Sequence, residues 1–260
     1  MRRHFAITAL VLLPCLPASA QTPTGPEQQR ILDGARDVAI HYSAALPAFI
    51  CTEQVERTDT TGPNNVQVDH LTLDLSYNDQ KERYKLVALN GSPTGRPFDS
   101  LEGLITGGEF GSLLLGIFDA SSAADFHWKS ATTLRKRPAV VYTYRIARAK
   151  SRYIVGHRTQ NGSLVSYSAG YHGEVFLDPG SSHVLRLTAA ADDIPKDSGI
   201  LASSVEVDYD FVDIAGRKYL LPLRSDSRMD RTYRRISNVA TFLEYRKFDA
   251  ESTIDFKPEN

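Results

Sequence analysis

The chain has 260 residues, with 30 Lys and Arg against 31 Asp and Glu, and 42% of it is hydrophobic. That charge balance excludes a polycationic nucleic-acid binder, and the apolar fraction excludes a disordered chain. Two cysteines cannot build a disulfide scaffold or a four-cysteine zinc site.

The first residues read as a secretory signal peptide spanning 1–20. Arg2 and Arg3 form a positive start, Phe5 to Leu13 is apolar apart from Thr8, and Ala18-Ser19-Ala20 is a small-residue cleavage site. The apolar run is too short for a bilayer, which takes about 20 residues. Cys15 follows Pro14, where a lipid-attachment motif takes a small residue. Cleavage near Ala20 removes two arginines from 30 basic residues, leaving 28 against 31 acidic ones, a net charge of −3. It also leaves Cys51 without an internal disulfide partner. The apolar run Ala48-Phe49-Ile50-Cys51 marks that thiol as a buried hydrophobe. The expected location is periplasmic or secreted, and no later segment has the length of a transmembrane helix.

Residues 21–260 read as a single antiparallel-sheet domain. Pro26 suits the first turn of a helix and Glu27 its positive end. Ile31, Ala35, Val38, Tyr42, Ala45 and Leu46 then recur at helical spacing, up to the stop at Pro47. Beyond it the period becomes two. Val66 and Val68 alternate, then Leu71, Leu73, Leu75 and Tyr77 continue on the opposite parity, which predicts a bulge near Asp69-His70. Alternation returns at Tyr84–Ala88, Val140–Ile146, Tyr153–Val155, Val165–Tyr171, Val175–Leu177, Val184–Thr188 and Val205–Phe211. Asn90-Gly91, Asn161-Gly162, Asp178-Pro179-Gly180 and Ala215-Gly216 supply turns, with the glycines taking positive φ. Pro222 after Tyr219-Leu220-Leu221 implies an edge strand or irregular backbone. Ala240, Phe242, Ile254 and Phe256 close the pattern. One island interrupts it: Phe110, Leu113, Leu114 and Ile117 follow Gly107-Gly108-Glu109 at helical spacing. The expectation is a mainly β (α+β) fold: a large curved antiparallel sheet or incomplete barrel, an N-terminal helix and a short inserted helix.

Four stretches carry a resemblance. Phe49-Ile50-Cys51, Gly107-Gly108-Glu109-Phe110-Gly111-Ser112-Leu113-Leu114, Tyr171-His172-Gly173-Glu174-Val175-Phe176-Leu177-Asp178 and Tyr219-Leu220-Leu221-Pro222 resemble a group of uncharacterised secreted acidobacterial proteins. The hairpin from Tyr171 to Leu187 is also similar to one in periplasmic lipoprotein-carrier-like (outer-membrane lipoprotein-sorting) proteins. That resemblance covers about half of the chain beyond the leader. It implies an incompletely closed barrel, its mouth plugged by helices, around an apolar cavity for acyl chains or a partner segment. It transfers no ligand-contacting residue, because such a cavity is defined by shape.

The residues themselves offer little chemistry. There is no G-x-S-x-G elbow, S-x-x-K pair or Walker loop, and Ser182-His183 falls in a turn. His41, His70, His127, His157, His172 and His183 lack metal-ligand spacing, so neither a metal nor a cofactor is expected. Asp192-Asp193 reads as a solvated loop. Arg135-Lys136-Arg137 and Arg228, Arg231, Arg234 and Arg235 read as turn flanks. The candidate ligand-binding residues are Phe110, Leu113, Leu114, Ile117 and Phe118, with Trp128 beyond them. They carry more apolar area than a surface helix needs, whether they plug the sheet or line a pocket. Tyr142, Tyr144, Tyr167 and Tyr209 pose the same choice. The leading expectation is a non-enzymatic envelope protein that binds an apolar ligand (a lipid or acyl chain) or a lipoprotein segment. A protein pairing through a sheet edge, and a hydrolase with dispersed catalytic residues, are the alternatives. A carboxylate and a histidine within hydrogen-bond reach in one cleft would favour the last.

Overall fold

The computed structural model describes residues 23–104, 107–159, 161 and 163–248. The leader, and Ile254 and Phe256 of the last expected run, lie outside the described residues. Helix α1 (Gly25–Ala45) leads into β1 (Phe49–Thr61), β2 (Asn65–Asn78), β3 (Lys81–Leu89), β4 (Ser92–Pro93) and β5 (Gly103–Leu104). The short helix α2 (Ser112–Phe118) follows, then β6 (Asp125–Leu134), β7 (Arg137–Ile146), β8 (Ile154–Arg158), β9 (Leu164–Ser168) and β10 (Gly170–Leu177). The chain continues through β11 (Val184–Asp192), β12 (Ile200–Ile214), β13 (Arg217–Arg231) and β14 (Arg234–Lys247). Eleven strands form one antiparallel sheet ordered β4-β3-β2-β1-β14-β13-β12-β11-β10-β7-β6, and β5-β8-β9 form a second, small one. Strands β4 and β6 end the large sheet without meeting, so the barrel stays incomplete. This is the mainly β fold with two helices that the periodicity implies.

Both helices cover the concave face. Ile31, Leu32, Ala35, Ala39 and Tyr42 of α1 join Leu114, Ile117 and Phe118 of α2 and side chains of β7, β10, β11 and β12 in one buried cluster. A second cluster gathers Phe49, Cys51 and Val55 of β1, Leu71, Leu73, Leu75 and Tyr77 of β2, Phe110 and Phe242. A third joins Leu104 and Val155 of the small sheet to Ile200, Met229 and Ile236 of the large one. Tyrosine hydroxyls fasten the cover. Tyr142 donates to Gln28 O of α1 (2.7 Å), Tyr77 to Ser43 O (2.9 Å), and Tyr42 of α1 to Leu220 O (2.9 Å). Each bond also gives a tyrosine hydroxyl at the buried seam its partner.

The outer face is polar and cross-linked. Arg186 grips Asp208 with two bonds (2.8 and 2.7 Å), Arg135 pairs with the same carboxylate, and Arg137 reaches Asp210 (2.8 Å) and Asp178 (3.3 Å). Burial works against ionisation of Asp208, but these arginines hold its carboxyl below the usual range. The basic tip at 135–137 therefore belongs to an ion-pair network.

Two local expectations are corrected, and the reading of Pro222 is narrowed to irregular backbone. Strand β2 pairs with β1 without interruption from Asn65 to Tyr77, so there is no bulge near Asp69-His70 in that ladder. Val66 and Val68 instead stay on the outer face, 57% and 45% exposed. The positive φ after Pro179 falls on Ser182 (59°), not Gly180, because Asp178 Oδ1 accepts the Gly180 and Ser181 amides and shapes the turn. Pro222 lies in an interior strand. It sits at a register shift opposite Tyr209, and β14 pairs with β13 only from Arg224 onward, so the missing N–H breaks no ladder.

One glycine is dictated by close approach. A Cβ on Gly173 would lie 1.9 Å from Thr188 O, where the Tyr144 hydroxyl (2.7 Å) and the Thr188 hydroxyl replace the missing β10–β11 ladder bonds. Gly173→Ala is expected to lower unfolding free energy by about 1–3 kcal/mol, as overpacking does. Gly180→Ala, with 3.4 Å to Asp178 Oδ1, should change it little. Urea denaturation of the two variants checks this.

Candidate functional site

The six candidate residues do not gather in one place. Leu114, Ile117 and Phe118 are buried in the α1–sheet cluster, with Leu113 and Trp128 half-buried against it. Phe110 precedes α2 and belongs to the β1–β2 cluster, ringed by Phe49 (5.4 Å), Tyr77 (6.1 Å) and Phe242 (5.4 Å). Trp128 sits on edge strand β6, edge-on to Tyr142 at 5.4 Å, and Phe118 stacks on Phe126 at 5.3 Å. The inserted segment thus bridges two apolar clusters and fills the space between them.

Beneath that bridge lies a group of carboxyls that periodicity alone does not single out. Glu53 alternates with outward Gln54 on β1, so the pleat turns it to the concave side. There the register places it between Leu73 and Phe242. It is 6% exposed, and its Oε2 has no hydrogen-bond partner. Glu109, 3% exposed, lies on the inserted segment itself and its Oε1 accepts from the Ser225 hydroxyl (3.0 Å). Half-buried Glu82 on β3 accepts from the Tyr84 hydroxyl (2.5 Å) and from the amides of Gly108 and Phe110. Desolvation first, then the charges of Glu109 and Glu82, push Glu53 up to about 8. Desolvation and Glu82 push Glu109 up to about 7, against the opposing bond from Ser225. Glu82 is also raised by burial. None of the three carboxyls forms an ion pair among the described residues.

The Tyr209 hydroxyl completes the arrangement by donating to Glu109 O (2.9 Å), and Ser43 donates to Phe110 O (3.3 Å). A recess of about 60 Å³ opens beside Glu109, between Gly107, Leu113 and Tyr153 on one side and Ser203 and Ser227 on the other. That is room for a few water molecules. Farther along the same face Arg57 bonds Asn238 Oδ1 (3.2 Å) and Glu102 O (2.7 Å), and Asn238 donates to Leu104 O (3.2 Å).

The outer face carries a different arrangement. A groove of about 700 Å³ crosses β6 to β13, lined by Asp125, His127, Arg145, His172, Glu174, Glu206, Asp226 and Arg228 among others. His172 Nδ1 lies 2.9 Å from Asp192 Oδ1, and His127 Nε2 lies 3.0 Å from Asp125 Oδ2. The sequence reading of Asp192 as a solvated loop residue is corrected: it ends β11 and also faces Arg145 at 3.4 Å. A carboxylate-held imidazole can serve as a general base. Asp125 and His127 thus meet the carboxylate–histidine condition set for a hydrolase, while among the described residues no hydroxyl or thiol side chain hydrogen-bonds either imidazole. No group of three or more His, Cys, Asp and Glu suited to a metal ion occurs among the described residues. Cys51 is buried, and desolvation raises its thiol well above the usual range, which makes it unreactive. No helix among the described residues is long and apolar enough to cross a membrane.

No family model and no curated protein matches the chain. Among solved structures it is similar to a domain from Vibrio parahaemolyticus assigned to outer membrane lipoprotein sorting, at 12% identity and a TM-score of 0.44, covering 86% of this chain and 95% of that one. It is similar to a DUF1329 family protein from Desulfovibrio piger at 10% identity and a TM-score of 0.39, covering 85% and 95%. A LolA superfamily protein from Nitrosomonas europaea follows at 11% identity and a TM-score of 0.28, covering 85% and 93%. No residue role carries over at these values.

The carboxyl group sets the sign of the pH dependence. Glu53 and Glu109 hold protons more tightly folded than unfolded, so their stability contribution is complete below about pH 4.5 and lost as pH rises toward 7–8. The Asp208 network acts oppositely, contributing above the ordinary Asp range and failing on acidification. Stability is therefore expected to peak near pH 5 and fall toward pH 9. Glu53→Gln should flatten the alkaline side and stabilise the protein at pH 9. Chemical denaturation at pH 5, 7 and 9 measures both effects.

Proposed function

We propose that this protein is a non-enzymatic binding module of the cell envelope, exported by cleavage near Ala20. Its ligand is apolar: a lipid, an acyl chain, or the acylated segment of a lipoprotein. The observation that supports this most is the roofed concave face. An open sheet presents a continuous apolar surface, and two helices cover it without belonging to any strand ladder. Such a cover can be displaced while the sheet keeps its hydrogen bonds. The ligand would take the place of Leu113, Leu114, Ile117 and Phe118 against the sheet, with Phe110 and Trp128 at the two flanks. Gly116 suits this role: its missing side chain lets α2 sit on the Tyr171 hydroxyl, where a Cβ would be 3.2 Å away.

The open edge favours a second reading. Strand β6 leaves one side of ten residues without a strand partner, while at the other end β4 covers only Ala88 and Leu89 of β3. An extended partner segment could add to that edge by backbone pairing.

Native mass spectrometry of protein purified from its own envelope fraction, with uptake of a fluorescent fatty-acid probe, tests the first reading. Bound lipid mass, and probe uptake that a Gly116→Leu variant alters by lifting α2, are expected. Absence of both bound lipid and uptake overturns it. Capture of a partner segment abolished by a Pro substitution at β6, with no lipid bound, would favour the edge.

A further inference from the structure

We propose that the segment Gly107–Phe118 is a proton-gated cover: a protonated Glu109 seats it on the concave face, and ionisation of the Glu53, Glu82 and Glu109 group releases it. This rests on the apolar-ligand reading for its purpose, since release would admit the ligand, but the release itself needs no ligand to be seen.

The three carboxyls come from three places. Glu53 is fixed on β1 and Glu82 on β3, both in the hydrogen-bonded sheet. Glu109 is carried by the segment. When like charges crowd an apolar space, either protons bind or the charges separate. Only Glu109 can leave without breaking the sheet. The segment is also the part of the cover built to move. Gly108 and Gly111 hold φ of 98° and 130° on either side of Glu109, a backbone that side-chain-bearing residues resist. Its polar ties to the rest are few: Ser225 and Tyr209 hold Glu109, Ser43 holds Phe110, and Glu82 accepts two of its amides. The last tie is itself acidic. The recess beside Glu109 gives water a path to the carboxyl.

Among the described residues, none facing the group supplies a compensating cation. From α1 comes Tyr42, from β1 Cys51, from β2 Tyr77, and from β3 Tyr84. From β12 comes Tyr209, from β13 Ser225, from β14 Tyr245, and from the β7–β8 connection Tyr153. These phenols and the thiol are neutral through pH 9, because burial raises each of them. Arg246 acts on the Cys51 side only. Glu53 Oε2, buried and unpartnered, is the second sign that the group is poised: an ionised oxygen there has no donor to meet. The raised positions of Glu109 and Glu53 place the transition between about pH 7 and 8.

Hydrogen exchange at pH 6 and pH 9, corrected for the intrinsic rate, tests the cover in the full protein. Amide protection across 112–118 is expected to fall at pH 9 at least about tenfold more than that of 225–240 in β13 and β14, whose own fall follows the global stability. Glu109→Gln should keep the pH 6 protection at pH 9. If that variant folds poorly, Glu53→Gln should shift the transition upward. Equal protection at both pH values, an equal fall in 225–240, or a fall that survives both substitutions overturns the proposal. Uptake of N-phenyl-1-naphthylamine, uncharged over this range, is read in parallel. Release of 112–118 at pH 9 with no uptake ends the ligand reading and keeps the cover. Uptake equal at both pH values with pH-independent exchange keeps the ligand reading and ends the cover.

Discussion

An antiparallel sheet that bends but does not close has an apolar concave face, and everything else in this protein follows from the need to cover it. Closure would have hidden that face with strands alone. Here α1 and the inserted segment do it, and they must present apolar side chains while their own backbone groups stay satisfied. Tyrosine meets both demands, since its ring buries apolar area and its hydroxyl reaches a carbonyl. Tyr42, Tyr77, Tyr142 and Tyr209 each join the cover to the sheet in this way. Removing one such hydroxyl would remove a polar tie between the cover and the sheet, worth about 1 kcal/mol.

The two faces of the sheet use charge in opposite ways. Outside, Asp208 and Asp210 meet Arg135, Arg137 and Arg186, which keep Asp208 ionised and tie the β6–β7 turn and β7 to β11 and β12. Inside, Glu53, Glu82 and Glu109 meet phenols, hydroxyls, amides, the Cys51 thiol and each other, with no cation among the described residues. The outer network resists alkali and weakens in acid; the inner group does the reverse. A protein with only the first would be stable across the neutral range. The second makes the attachment of one short segment depend on a few protons, and it does so at the point where two apolar clusters meet.

How much of this was legible in the sequence depended on periodicity. Helix α1, the alternating strands and the inserted helix all announced themselves through apolar spacing. Strands β1 and β6 did not. Thr-Asp-Thr-Thr and Lys-Ser-Ala-Thr-Thr carry no apolar alternation, because one lies on a hairpin arm reaching past the core and the other on an open edge. Pro222 was legible as irregular backbone, but not as an interior position, since the register that spares its nitrogen is set by a shift across two strands. The candidate apolar residues were recognised as surplus. Their division between two clusters was not, because Phe110 lies before the helix rather than on its face.

The carboxyl group was the least legible feature, and for a physical reason. On β1 the pattern Cys51, Glu53, Val55 reads as an apolar stripe interrupted by one charge. Apolar spacing by itself does not tell a strand exit from a buried acid. The signal was present in parity: an acid flanked at i−2 and i+2 by buried positions must point with them. Glu109 is concealed in the opposite way, since an acidic residue just before a helix ordinarily serves its positive end. Its side chain turns instead to Ser225, and its carbonyl to Tyr209. Both misdirections come from local rules that hold for exposed acids. They fail where tertiary packing carries the acid inside, and there the energetic penalty of the charge becomes the property on which a moving part can depend.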